Sequence, residues 1–265
     1  MPVIDCDRLA SLLERERTTF QARHPRSRAA YRDAAVSLFG GVPMTWMNLA
    51  AGGFPVYLAE ARGAWVTDLD GHEYVDLCLG DTAAMAGHSP APVVAAVQRR
   101  YEELGGATAM LPTEDGAWVG AELARRFGVP LWSFSLTATD ANRWVIRLAR
   151  LVTGRPKILV CNWCYHGTVD ETLVTLGPNG PVARAGNVGP PVDPAATTRV
   201  VEFNDLDALE RALAFGDVAC VLMEPALTNI GIVLPQPGFL EGVRALTRRH
   251  GVLLVNDETH TFSAG

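Results

Sequence analysis

The chain has 265 residues, 48% hydrophobic and 20% charged, a balance that suits one large or two small globular α/β domains. Its formal net charge of -6 leaves no basic excess to neutralise phosphates, which argues against nucleic-acid or anionic-membrane partners. Five cysteines at positions 6, 78, 161, 164 and 220 lack disulfide-scaffold spacing, and no leader or spanning segment is visible, so reduced thiols and a cytoplasmic location are expected.

The first ~40 residues read as helical. Leu9, Leu12 and Leu13 recur at helical spacing, and Arg28 to Phe39 continues in that style after His24-Pro25. Gly40-Gly41 breaks the pattern. Pro55–Ala59 and Ala64–Leu69 read as strands, Asp70-Gly71 as a turn, and Glu73–Leu77 as the returning strand of a hairpin. Ser89 is placed to cap a helix that has Pro90 in its first turn and runs to about Tyr101. Thr113 is placed to cap another, with Trp118, Leu123 and Phe127 on one face.

From there strands and helices alternate. The predicted strands are Trp132–Leu136, Ile158–Cys161, Arg199–Phe203, Ala219–Glu224 and Val252–Asn256. The predicted helices are Asp140–Leu151, Leu206–Ala214 and Leu240–His250. Such alternation builds a mostly parallel, doubly wound α/β sheet. Gly177–Ala195, rich in glycine and proline, reads as a long surface loop. The expected division is 1–88, N-terminal helices with a β-hairpin, and 89–265, the larger domain.

Ligands of open parallel sheets bind beyond the carboxyl ends of the strands, and four features fall there. Thr137-Ala138-Thr139 opens a helix with backbone N–H groups and two hydroxyls suited to a phosphate; a plain helix cap is the alternative. Tyr165, in Cys164-Tyr165-His166-Gly167, offers a ring that could stack on a planar group or simply cover the sheet edge. Cys161, Cys164 and His166 lack the second half of a zinc site, so buried thiols are the better reading. Glu224-Pro225 with Asn229 follows a strand. Asp257 leaves the apolar run Val252–Val255, where a carboxylate needs a partner: a protonated ring nitrogen, or an arginine. A nucleotide-binding reading is weak, because no Gly-x-Gly-x-x-Gly follows a strand.

In this order the motifs resemble class III, fold-type I aminotransferases that use pyridoxal 5′-phosphate (PLP), in particular the glutamate-1-semialdehyde aminomutase-like branch. The resemblance runs from about Gly53 to Gly265. It rests on Gly63 to Gly71 with Tyr74-Val75-Asp76, Gly87-His88-Ser89-Pro90 and Thr137-Ala138-Thr139-Asp140-Ala141. Arg147 to Arg150, Tyr165-His166-Gly167, Glu224-Pro225, Asn229, Gly231, Pro237 to Gly242 and Asp257-Glu258 complete it.

The resemblance implies a homodimer that transfers an amino group between small-molecule donor and acceptor. It implies that Thr137, Ala138 and Thr139 bind the cofactor phosphate and that Tyr165, followed by His166, stacks on the ring. Asn229, after Glu224, would lie near the phenolic oxygen. Asp257 would act catalytically by holding the ring nitrogen. Three departures mark a divergent subgroup: Ala138 for a glycine, where a positive φ would be strained, Trp163 for a small residue, and Thr259 for an apolar one. Asp81 and Thr82 are candidates for facing the substrate.

The sequence holds one lysine, Lys157, at the amino end of a strand and therefore opposite the ligand edge; an exposed surface lysine is expected there. The Schiff-base lysine of the family comes after the Asp-Glu pair. The chain is thus expected to be a fold-type I domain truncated before the last strands and the C-terminal small domain, inactive alone. A non-catalytic PLP-binding relative is the alternative.

Overall fold

The computed structural model describes residues 4–50, 52–106, 111–189 and 192–262. Its contacts divide the chain into two compact units, Met1–Met110 and Leu111–Gly265. The helix that follows Pro90, expected with the second segment, therefore belongs to the first unit.

In the first unit, α1 (Cys6–Arg23) starts where the Asp5 carboxylate accepts from the Arg8 N–H. Pro25 cannot donate an amide hydrogen, so the predicted helical stretch breaks at His24 and restarts as α2 (Pro25–Ala34). No residue of α1 is buried, and Leu9, Leu12 and Leu13 all face solvent. Single helical turns follow at Phe39–Gly41 and Thr45–Asn48.

β1 (Leu58–Arg62), β2 (Trp65–Asp68) and β3 (Glu73–Val75) form an antiparallel sheet in that order. β1 begins later than predicted, beyond Pro55, and runs into a two-residue turn at Gly63-Ala64. The Asp70-Gly71 turn stands as expected, and the Asp70 carboxylate accepts from the N–H groups of Arg26 and Ser27 at the start of α2. α3 (Ala91–Glu102) has Pro90 itself at its cap position. Ser89 does not cap it: at φ 51° its hydroxyl points instead toward the Ala61 carbonyl.

In the second unit, α4 (Glu114–Phe127) begins after Thr113, whose side chain makes no capping bond. Its predicted apolar face stays largely open, although Phe127 packs on Phe262 with ring centroids 4.3 Å apart. Residues 131–137 are not a strand. Trp132, Phe134 and Leu136 alternate as predicted, but alternation gives only a face, and a strand also needs a hydrogen-bonded neighbour. No strand among the described residues pairs with this stretch, and Leu136 is 99% exposed.

α5 (Ala138–Thr153) then leads into the parallel sheet: β4 (Lys157–Cys161), β7 (Thr198–Val201), β8 (Val218–Met223) and β9 (Leu253–Asn256), in the order β7-β4-β8-β9. Between β4 and β7 lie the hairpin β5 (Val174–Gly177) and β6 (Gly180–Ala183) and the short α6 (Pro194–Thr197). The predicted long loop thus starts as a hairpin, turned by Pro178-Asn179 with Gly180 at φ 123°.

α7 (Leu206–Leu213) and α8 (Phe239–Arg249) pack on each other. Gly242 makes room for this contact, because a Cβ there would meet the end of the Leu206 side chain at 2.4 Å and displace it. All six residues of β8 are buried, so both faces of the sheet are covered. Ile146 and Ala149 of α5, Leu209 and Leu213 of α7, and Val243 and Leu246 of α8 build the core around Ile158, Leu159 and Leu222.

Candidate active site

β4, β8 and β9 end side by side, and the turn after each carries predicted site residues: Tyr165 and His166, Glu224, and Asp257. This is the carboxyl edge of a parallel sheet, where ligands bind.

Asp257 sits at the centre. Its N–H donates to the Met223 carbonyl at 2.8 Å, extending the β8–β9 ladder and fixing where the side chain starts. The side chain is 6% exposed. Oδ2 accepts from Nδ1 of His166 at 2.8 Å and from Nδ2 of Asn142 at 2.9 Å. Oδ1 accepts from the Thr259 hydroxyl at 2.7 Å and the Thr259 N–H at 3.1 Å. Burial alone would raise the carboxyl pKa. The bonds from His166, Thr259 and Asn142 outweigh it and hold the group well below the usual carboxylate range, so Asp257 is a buried anion.

His166 is fully enclosed, and its Nε2 has no hydrogen-bond partner among the described residues. Gly167 brings the turn against α5: at φ 80°, a Cβ there would lie 2.1 Å from the Thr139 hydroxyl. Thr139 Oγ1 accepts from the Thr168 N–H at 3.2 Å, and Asn142 donates to the His166 carbonyl at 3.1 Å. The first turns of α5 are thereby stitched to the turn after β4. At the helix start, the Thr137 hydroxyl accepts from the Asp140 N–H and donates to the Asp140 carboxylate, and the N–H groups of Ala138 and Thr139 belong to the first turn, at the positive end of the helix. Ala138 lies in the helix with no positive φ, so the strain anticipated for it is absent. The strain sits instead at Trp163, at φ 64°, with the Arg184 guanidinium 5.9 Å from its ring centre.

Glu224 is buried and accepts from the N–H groups of Tyr165 and Thr228 and from the Thr228 hydroxyl, at 3.3, 3.1 and 2.7 Å. It fixes the backbone at Tyr165, a residue that is 43% exposed. The same Thr228 hydroxyl lies 2.6 Å from Nδ1 of His260. Asn229 is exposed and joins no bond of this network. Cys161 and Cys164 are buried thiols; burial, reinforced by Glu224, pushes Cys161 up to about 12. Lys157 is at the amino end of β4 as expected, but it is not a free surface lysine: Nζ donates to the Ala195 carbonyl at 2.9 Å, with Asp217 at 3.7 Å.

The structure therefore bonds His166 and Asn142 to Asp257, Thr139 to the turn that follows His166, and Glu224 to the backbone of Tyr165, with Thr137 and Ala138 at the start of the same helix as Thr139. Sequence reasoning missed Asn142, Thr228 and His260 as members. Only Asn142 carried a usable signal: it lies one turn into a helix already singled out, on the side that a buried amide would have to satisfy.

Residues 47–263 match the model of the family described as Aminotransferase class-III. A glutamate-1-semialdehyde 2,1-aminomutase of Symbiobacterium thermophilum is 39% identical over 255 residues, covering 91% of this chain and 56% of that protein. The crystal structure of a glutamate-1-semialdehyde-aminomutase from Pseudomonas aeruginosa PAO1 superposes with a TM-score of 0.93 at 53% identity, covering 99% of this chain and 58% of the other. A variant of that protein has been solved in complex with PMP. An omega-transaminase from Sphaerobacter thermophilus follows at 32% identity and a TM-score of 0.80, covering 88% and 54%. The chain spans about half the length of these relatives. With a family match over most of its residues, it belongs to the class-III aminotransferases.

Proposed function

We propose that this chain carries the cofactor-holding part of a PLP-dependent amino-transfer enzyme. Its substrates would be a small amino acid or amino aldehyde, as the names of its aminomutase relatives indicate. The observation that supports this most is Asp257: an ionised carboxylate enclosed at the carboxyl edge of a parallel sheet, beside the free N–H groups of a helix start. A buried anion is costly unless it serves a cationic partner, and a ring N–H fits that need.

Bound PLP supplies a protonated pyridine ring that withdraws electrons from the α-carbon of an amino substrate. The residues here divide the work of holding it. Ala138 and Thr139 offer backbone donors to the phosphate, and Thr137 orients the helix start that carries them. Tyr165 would cover a ring face. Glu224 holds the Tyr165 backbone, and Asn229, in the loop after Glu224, would serve the ring's oxygen.

Asp257 would hold the ring nitrogen's proton, while His166 and Asn142 keep Asp257 charged and aimed. Of the four donors to Asp257, the Thr259 hydroxyl on Oδ1 is the one that a side-chain rotation would free for a ring N–H. The one lysine of this chain lies at the far end of β4, so this chain would hold PLP without a covalent bond. A cytoplasmic homodimer is the assembly we expect for the working enzyme.

The test is titration of the chain with PLP, read by cofactor absorbance and by thermal shift. Saturable binding that dialysis reverses and borohydride does not trap is expected. Asp257→Asn should weaken it about tenfold or more, the worth of a charge-assisted hydrogen bond. Equal affinity of the variant and the wild type would remove Asp257 from the cofactor site, and borohydride labelling of Lys157 would overturn the non-covalent reading.

A further inference from the structure

The first unit holds a second cluster that the amino-transfer site does not use. His24, at the break between α1 and α2, meets Asp68, His72 and Tyr74 of the β2–β3 hairpin. His24 and the Asp68 carboxylate are buried, and the His72 side chain is 25% exposed. One ligand atom from each of His24, Asp68 and His72 falls within 4.8 Å of the others.

Counting hydrogens shows what the cluster lacks. Nδ1 of His24 is 2.7 Å from the Phe20 carbonyl oxygen, which can only accept, so this nitrogen carries a hydrogen. Nε2 then offers its lone pair inward. It lies 3.0 Å from the Tyr74 oxygen and 3.4 Å from Asp68 Oδ2, and those two oxygens are 3.0 Å apart. The Tyr74 phenol donates its hydrogen to Asp68 Oδ2. The Asp68 carboxylate also accepts from the His72 N–H at 2.8 Å and from His72 Nδ1 at 2.9 Å. A triangle of three basic atoms thus contains one hydrogen, which serves one side. On the other two sides, His24 Nε2 faces an oxygen at 3.0 and at 3.4 Å, an arrangement that suits a shared cation. His72 Nδ1, 2.9 Å from Asp68 Oδ2, adds a second imidazole nitrogen at the same point.

We propose that His24 Nε2, His72 Nδ1 and Asp68 Oδ2 form a binding site for a divalent transition metal of the zinc or cobalt class, with the Tyr74 oxygen alongside. Two imidazoles and a carboxylate suit such ions better than magnesium or calcium, which prefer all-oxygen sets. Ligands of a tetrahedral zinc stand about 3.3 Å apart, and the 2.9 and 3.4 Å separations here are already close to that. Orientation is in place too, since the Phe20 carbonyl accepts from the outer nitrogen of His24, as carbonyls commonly do for metal-bound histidines. Loading moves the His72 hydrogen from Nδ1 to Nε2, at its solvent side. The metal would tie the start of α2 to the hairpin, alongside the bonds that Asp70 makes to Arg26 and Ser27.

The probe is Co²⁺ alone, added to the full chain at neutral pH. We expect one equivalent to bind with visible d–d absorption, and two histidine N–H resonances to shift paramagnetically in proton NMR. His72→Gln, a partly exposed position, should weaken binding at least tenfold. Failure to bind one equivalent overturns the proposal. Binding that is unchanged in His72→Gln, or that shifts no histidine resonance, would place the metal outside this cluster and overturn it equally. The NMR readout needs no variant, so poor folding of His72→Gln cannot mask the answer.

Discussion

Asn142→Leu isolates the polar cluster that aims Asp257. Asn142 is buried, and its amide makes two bonds: one to the Asp257 carboxylate and one to the His166 carbonyl. Leucine has nearly the same volume, so packing changes little. The lost bond to an ionised acceptor is worth roughly 1.5–3 kcal/mol and the neutral one roughly 0.5–1.5, so a destabilisation of about 2–4 kcal/mol is expected.

Urea denaturation followed by tryptophan fluorescence measures it. Dependence on pH supplies a second check. Folding lowers the pKa of Asp257 below its unfolded value of about 3.9, so its contribution is complete above about pH 5 and is lost as pH falls through the folded pKa. Removing a donor to the charged form raises that folded pKa, so Asn142→Leu should lose stability at a higher pH than the wild type on acidification. A change below about 0.5 kcal/mol at pH 7, or identical acid limbs, would mean that Asn142 does not hold the carboxylate.

Three other outcomes follow from the same geometry. Thr259→Val removes the hydroxyl that competes for Asp257 Oδ1, so PLP should bind about two- to tenfold tighter in a fluorescence titration; weaker binding would mean the hydroxyl helps the ring. Cys6 and Cys78 are exposed while Cys161, Cys164 and Cys220 are buried, with Cys161 and Cys220 pushed up to about 12 by burial. Ellman's reagent should therefore find two fast thiols in the native chain and the other three only on unfolding, and a third fast thiol would contradict the packing around β4. Leu159→Ala, at the centre of the sheet with no exposed surface, should cost about 2–5 kcal/mol in the urea assay; a loss near zero would mean the core collapses around the gap.

Much of the site was legible because a few residues carry strong local meaning. An acidic residue ending the run Val252–Val255 has to be paired, and Thr137-Ala138-Thr139 reads as a helix start. The partners were not legible. Asn142 and Asp257 are far apart in sequence, and only the packing of α5 on β8 brings their side chains within 2.9 Å. The cluster of His24 with His72 is hidden for the same reason, since helix break and hairpin meet only in the folded unit.

Errors in the fold reading share one cause. Alternation at Trp132–Leu136 reported a face without a pairing partner, and glycine and proline after Gly177 reported a bend without saying that Val174–Gly177 and Gly180–Ala183 would pair across it. Periodicity reads what a residue prefers. Pairing depends on what lies next to it.

The most direct measurement is the nitrogen-15 NMR spectrum of ring-labelled PLP bound to the chain, in the wild type and in Asp257→Asn. The account predicts a protonated ring nitrogen at neutral to mildly alkaline pH in the wild type, and loss of that proton in the variant. An unprotonated nitrogen in the wild type, or the same spectrum in both, would contradict the assignment of Asp257 as the residue that holds the cofactor ring.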